Sequence, residues 1–393
     1  MSVADEFAVV VDGWFDGETR RDGPATFRVE SGQVAAIAEG DRSGELASRG
    51  VPVTRGAFLL PGLVDAHVHL FLDGPPTDNA ARSAHLKQTR EALVEAARGN
   101  ARQALACGVT KVRDAGDKHG INHAIRAEAA TDDTLAHVRS SGLAVRRPRR
   151  YGAFMAREVA DDAAIRNTVT ELSRDSDEIK LILTGIINFE AGAVTDEPQF
   201  DLHSARLVTA TARANGRKTF AHCSGEKGLA IAARAGVDSI EHGFFMTREI
   251  LSQMRDRGIA WTPTFCPVHF QWAHPEAVGW SEETVGNLRR ILDHHAEHLC
   301  IAREMGVTLL LGTDAGSMGV DHGHAVFDEM ERYVEAGLSL DATLRAATAN
   351  ARRHFDDADP RLARGSRFEA ILLDASPFDR LDSLRQPRQV FRG

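Results

Sequence analysis

The sequence is poor in the features that mark several protein classes. Its four cysteines, Cys107, Cys223, Cys266 and Cys300, form no C-x-x-C pair, which argues against a zinc ribbon or a disulfide framework and fits reduced thiols in the cytosol. No apolar run approaches the roughly 20 residues of a membrane span. The opening stretch "MSVADEFAVVVDGWFDGE" places acids, not a basic n-region, before its short apolar segment, so no export leader is expected. Basic charge is also short. Lys and Arg number 47 against 56 Asp and Glu, a formal net charge of -9, whereas a nucleic-acid binder needs a basic surface to release counterions. Repeats and low-complexity segments do not stand out. The expectation is a cytoplasmic protein with a small-molecule partner, without nucleic acid or membrane, and with homo-oligomerisation left open. With 393 residues, 43% hydrophobic and 26% charged, the chain has ordinary globular usage and suits one large α/β barrel with a modest accessory domain.

Two β-rich ends enclose a different middle. "FAVVVDGWFDG" and "ATFRVESGQVAAIAEG" near the start, and "GSRFEAILLDASPFD" and "QPRQVFRG" near the finish, read as short strands and turns. They predict one small, antiparallel β domain from residues 1–56 and 359–393. Between them, over 57–358, apolar strand candidates alternate with amphipathic helices. The strands are "AFLLPGLVDAHVH", "VTKVRDAG", "TLAHVRSSG", "EIKLILTG", "KTFAHCSG", "DSIEHG", "IAWTPTF" and "VTLLLGTDAG". Eight such units predict a (β/α)8 barrel. Helices over "HLKQTREALVEAARGNARQALACG" and "SARLVTATARANG" end on glycine, as a C′ position favours.

The chemistry sits at predicted strand ends, where this architecture places active sites. His67 and His69 are one residue apart, so both rings face the same side of an extended segment. An H-x-H triplet alone equally describes two half-exposed histidines. Lys180 lies between Ile179 and Leu181 in "EIKLILTG", where an ammonium is costly to bury unpaired; a lysine that snorkels past the strand end is the plainer explanation. His222 closes "KTFAHC", His242 closes "DSIEHG", and Asp314 follows "VTLLLGT"; each alone is more often structural. Together they mark a metal site.

At this point "PGLVDAHVH", "EIKLILTG", "AHCSGEKG", "AGVDSIEHG" and "LLLGTDAG", followed by "AGLSLDATLRAATANARRHF", resemble in order the motifs of the metal-dependent amidohydrolase superfamily. The resemblance is strongest to its imidazolonepropionase-like and Xaa-Pro dipeptidase or carboxypeptidase branch. It implies a (β/α)8 TIM barrel with a small β-sandwich from both termini. It further implies two divalent ions, with His67, His69, Lys180 and Asp314 on one and Lys180, His222 and His242 on the other. Lys180 would be carboxylated and a hydroxide would bridge the ions. Imidazole and oxygen ligation without thiolate suits zinc, with manganese, cobalt or iron also compatible. The implied reaction is hydrolysis of an amide-type C–N bond in a dipeptide, N-acyl amino acid or cyclic amide, with Asp314 as proton shuttle.

Two other readings stand beside it. A mononuclear deaminase of the same superfamily usually has a glutamate three residues after the fifth-strand histidine and lacks the strand-four lysine; here Glu226 is four residues after His222 and Lys180 is present. A barrel kept only as a binding scaffold is the non-enzymatic alternative. The chain also departs from its relatives. "TGIINFEAG" replaces the Gly-Gly pair that commonly follows the lysine strand, and "LAVRRPRRYGAFM" replaces a Gly-His pair after the third strand. Within that basic loop, among Arg146, Arg147, Arg149 and Arg150, the candidates for substrate binding are Arg150 and the adjoining Tyr151; a solvated surface loop is the plainer alternative. His119, His269, His322 and His324 are further candidates for the mouth, and Cys223, of opposite parity to His222, should face the helices.

Overall fold

The computed structural model describes residues 6–393; residues 1–5, the start of the stretch read for a leader, lie outside the described residues. Among the described residues no helix is long and apolar enough to cross a membrane. β1 (Glu6–Phe15), β2 (Arg20–Glu30) and β3 (Gln33–Glu39) pair antiparallel in succession. A short helix, Ser43–Ser48, then returns the chain so that β4 (Val53–Pro61) runs parallel to β1. This terminal sheet is therefore mixed, where strand alternation alone predicts an antiparallel one, because a helical crossover reverses the direction that a hairpin would give.

The apolar run from Ala57 to His69 is two strands. It breaks at Gly62, where a Cβ would lie 2.2 Å from Thr110 Oγ1, and continues as β5 (Leu63–Val68). β6 (Val109–Asp114) and β7 (His137–Ser140) follow in parallel beside it. The third barrel position is split. After a turn at Gly142 (φ 65°), β8 (Ala144–Arg146) leaves β7 and pairs with both β9 (Ala156–Glu158) and β10 (Glu178–Ile182). So part of the segment read as a basic loop is strand. β11 (Lys218–Cys223), β12 (Ser239–His242) and β13 (Ala260–Thr262) complete a parallel sheet ordered β13-β12-β11-β10-β8-β9.

The eighth position, 307–315, closes the ring without a regular ladder. Leu310 N donates to Trp261 O at 2.8 Å, while Ala66 N donates to Leu311 O and Asp314 N to His67 O, both at 2.8 Å. The buried carboxylate of Asp65 takes over one ladder position by accepting from Thr313 N at 3.0 Å and Thr313 Oγ1 at 2.6 Å. The result is a distorted TIM barrel. Helices cover its outside with narrow apolar stripes; Arg90–Ala106 buries Leu93, Ala97, Ala101 and Ala104 and is capped by Thr89. The helix expected from His85 begins only at Arg90, where Thr89 supplies its N-cap, and a separate helix, Asn79–His85, capped by Asp78, ends where it was expected to start. Cys223 faces Gly228 of the helix Glu226–Ala235, as its parity requires.

The chain ends by returning to the terminal sheet. β14 (Glu369–Leu373) lies antiparallel between β4 and β15 (Gln389–Arg392), giving the order β15-β14-β4-β1-β2-β3. A bridge from Gln33 to Arg367 curls the far edge back. Val9, Phe27, Val34, Leu59, Phe368 and Leu372 fill the enclosed face, so both ends of the chain build one sandwich-like cap.

Candidate metal centre

The sequence-derived residues converge. His67 and His69 leave the end of β5, and their ring centroids are 5.6 Å apart. His242 stands 5.0 Å from His67 and 4.5 Å from His222, centroid to centroid. Lys180 is fully buried, with Nζ 3.5 Å from His67 Nε2. Asp314 Oδ1 lies 3.6 Å from His67 Nε2 and 3.7 Å from His69 Nε2. His67, His69 and Asp314 offer ligand atoms within 4.8 Å of one another, the one group of three His, Cys, Asp or Glu side chains so placed among the described residues.

Backbone strain gathers here. His242 (φ 66°), Thr264 (φ 53°) and Asp314 (φ 57°) adopt the left-handed conformation, which costs a non-glycine residue on the order of 1–3 kcal/mol and tends to mark functional sites. At His242 the strain has a visible use. Adjacent residues of a strand face opposite sides, yet both Glu241 and His242 reach the ring of His67. Trp261 Nε1 holds the turned backbone by donating to His242 O at 2.9 Å.

Three of the imidazoles are oriented from behind. His67 Nδ1 bonds Glu241 Oε2 at 2.7 Å, His69 Nδ1 bonds Gly116 O at 3.2 Å, and His242 Nδ1 bonds Thr264 Oγ1 at 2.8 Å. His222 is placed through its backbone, whose carbonyl accepts from Leu183 N at 3.0 Å. With Nδ1 so engaged, Nε2 remains as a lone-pair donor. The buried Nε2 of His242 has no hydrogen-bond partner. Burial holds all four rings below the usual histidine range, with His222 lowered to about 3. Burial likewise lowers Lys180 to about 8, against the pull of Asp314 and Glu241, and raises Asp314 to about 6, against that of Lys180. Neutral imidazoles beside a carboxylate are the protonation states that a divalent cation requires, so this donor set fits one.

A second layer escaped the motif reading. Glu241, wholly buried, accepts from Arg113 Nη2 at 2.7 Å and from Ser239 Oγ at 2.6 Å while it holds His67. Arg113 also donates to Ala66 O at 2.7 Å, and its guanidinium lies 4.3 Å from the centre of the Phe220 ring. The signal was only partial in the sequence: Glu241 follows Ile240 in "DSIEHG" and Arg113 follows Val112 in "VTKVRDAG", each a charge in a strand candidate with the burial cost that singled out Lys180, but each has a polar residue on its other side. Glu241→Gln should lower metal affinity by about 10–100-fold. Its amide must turn its NH2 either towards His67, forcing the wrong tautomer, or towards Arg113. Unchanged affinity in a chelator-competition titration would remove this orienting role.

The basic loop is largely committed to internal partners. Arg146 pairs with Glu158 at 2.6 Å; Arg147 donates to Val159 O, Ala160 O and Ser204 Oγ; Arg150 donates to Glu197 O. The Tyr151 ring stands 5.4 Å from that of His222. His322 Nε2 donates to His69 O at 3.2 Å and so lies behind His69. His269 meets Arg332, His324 meets Cys107, and the His119 carbonyl receives Arg90; none of these is brought into the cluster.

Comparison with known proteins agrees with this geometry. The "Amidohydrolase family" model matches residues 58–383. An uncharacterized protein of Mycobacterium tuberculosis is 28% identical over 323 residues, covering 81% of this chain and 80% of its own. Ochratoxinase of Aspergillus niger is 25% identical over 366 residues, covering 86% of this chain and 74% of its own. Its crystal structure superposes with a TM-score of 0.81 at 22% identity, over 98% of this chain and 93% of that one. A Xaa-Pro dipeptidase with bound methionine superposes with a TM-score of 0.82 at 23% identity, over 98% of both chains. A match along most of the barrel, the shared fold and the His67–His69–Asp314 group make this chain a member of the amidohydrolase family, a metal-dependent hydrolase acting on C–N bonds.

Proposed function

We propose that this hydrolase cleaves an amide-type C–N bond with Asp314 carrying the proton between water and the departing nitrogen. The observation that carries the reading is the common orientation of the site: three imidazoles pinned at Nδ1, with Asp314 Oδ1 within 3.7 Å of the Nε2 atoms of His67 and His69. Bound there, a divalent ion supplies Lewis acidity, polarising the carbonyl under attack and making water nucleophilic near neutral pH. Zinc suits the donors. Ser317 Oγ donates to Asp314 Oδ2 at 2.9 Å, which leaves Oδ1 to face the reacting water and to return its proton to the amine. The structural neighbour named a dipeptidase puts dipeptides first among substrates to test, ahead of N-acyl amino acids and cyclic amides.

The His67–His69–Asp314 group by itself offers ligands for one ion, and one ion is what the mononuclear, deaminase-like alternative needs. A second ion is supported by the unpartnered Nε2 of His242, the adjoining His222 and the buried Lys180. It requires carboxylation of Lys180, since a free ammonium would repel both cations while a carbamate offers one oxygen to each. Elemental analysis and native mass spectrometry of zinc-loaded protein should show two ions per chain and the added mass of CO2 on Lys180, and Lys180→Ala should lose the second ion. One ion beside a free amine would establish the mononuclear site instead. Absence of any tightly held ion would remove the proposal.

A further inference from the structure

The helix that follows the first barrel strand is held to the molecule by polar contacts. Asn79–His85 buries none of its side chains, so it gains little of the apolar packing that fixes a helix such as Arg90–Ala106. His85 Nε2 donates to Phe71 O at 2.7 Å. The half-buried Arg82 makes four hydrogen bonds, all to backbone carbonyls. Its Nη1 gathers Asp73 O at 2.8 Å, Gly74 O at 3.4 Å and Pro76 O at 3.3 Å, all within its own loop. Its Nη2 crosses to a different loop and donates to Gly316 O at 2.9 Å.

That second loop carries Asp314. Gly316 O and Ser317 N belong to one planar peptide and point in opposite directions. Arg82 holds the carbonyl end, while the N–H end donates to Asp314 O at 3.0 Å. The plane is therefore fixed from both sides, and it sets the origin of the Ser317 side chain, whose Oγ donates to Asp314 Oδ2 at 2.9 Å. Gly316 stands at φ 97°, where a Cβ would lie 2.7 Å from His69 O. Glycine fits that space but brings backbone freedom with it, so the chain by itself does not keep this peptide from turning over. The two loops also interlock where Gly319 N donates to Gly74 O at 2.8 Å. A guanidinium suits the crossing. Its rigid fork reaches carbonyls on both loops at once, and a cationic donor makes a stronger hydrogen bond than a neutral one.

We infer that Arg82 is a positioning residue for the hydrolysis: it clamps the Gly316–Ser317 peptide so that Ser317 keeps Asp314 Oδ2 engaged and Oδ1 turned to the reacting water. The inference rests on the proton transfer proposed for Asp314, and its test separates the two. In zinc-loaded enzyme, Arg82→Met should lower kcat by about 30-fold and leave KM within about threefold, because the group it places moves a proton and does not bind substrate. Arg82→Lys keeps the charge on a single nitrogen and should recover less than about threefold of the loss. With Ser317→Ala already present, Arg82→Met should cost less than about threefold, since the bond it protects is gone. Hydrogen exchange reads the clamp without turnover. In Arg82→Met the amides of Gly316, Ser317 and Val320 should exchange at least about tenfold faster, with those of β10 and β11 unchanged. Faster exchange in a chain that hydrolyses no dipeptide, N-acyl amino acid or cyclic amide would overturn the proposed reaction and leave the clamp standing. Unchanged exchange at these three amides overturns the clamp. An equal rise through β10 and β11 also overturns it, since Arg82 would then serve the whole fold. Full recovery in Arg82→Lys would reduce its role to charge, and a raised KM at unchanged kcat would place Arg82 over the substrate; either result overturns the inference. Strict additivity with Ser317→Ala would break the link to Asp314.

Discussion

Asp314→Asn should cut kcat by about a thousandfold or more, near the upper end of what a positioned acid–base group contributes, while the chain stays folded. Asparagine keeps the volume and can still accept from Ser317 Oγ, which holds Asp314 at 2.9 Å. It cannot take the proton of the attacking water, so no proton is stored for the departing amine. The left-handed backbone at this position (φ 57°) suits asparagine as well as aspartate, so the fold has no reason to yield. The experiment is turnover at saturating zinc with metal content measured in parallel. Near-normal turnover with metal retained would falsify the assignment; loss of metal together with turnover would make Asp314 a ligand first and a proton carrier only by inference.

The second large effect is on stability. Arg113→Met should destabilise the fold by about 3–5 kcal/mol, the usual cost of removing one partner of a buried ion pair. Arg113 is 1% exposed and stands between Glu241, 2.7 Å away, and Glu178, 3.5 Å away. Without it Glu241 is a buried anion held only by Ser239 and His67. Glu178 keeps Arg139 at 3.3 Å, which is why Glu241 is the residue left exposed to the change. The double variant Arg113→Met, Glu241→Gln should recover part of the loss, because the stranded charge is gone. Denaturant midpoints of the single and double variants supply the check, and strict additivity would show that the pair is not coupled.

The sequence made the barrel legible through its alternation and the centre through charges in places where burial is costly. His67, His69, Lys180, His222, His242 and Asp314 share the property of ending or interrupting an apolar run, and the fold gathers them into one cluster. What was hidden depends on local geometry that residue type does not encode. The break between β4 and β5 comes from contact of Gly62 with Thr110, a residue far along the chain. The splitting of the third position between β7 and β8 follows from a positive φ at Gly142. "VTLLLGTDAG" has strand composition, yet Asp65 intercepts its hydrogen bonds. The direction of β4 was likewise hidden, since alternation identifies a strand without orienting it.

The joining of both chain ends in one sheet has a consequence for how the protein is made. β14 pairs with β4 through Ile371 and Leu60, so an edge synthesised with β4 waits until the whole intervening barrel has been made. At about 5–20 residues per second the wait is tens of seconds. During that time β1 to β4 offer an unpaired hydrophobic edge, the template on which strands of other chains can add. Docking of so distant a strand is also slow on topological grounds. Chaperone demand during synthesis, and inclusion-body formation when β14 and β15 are deleted, are therefore expected to trace to this seam and to leave the barrel interior uninvolved.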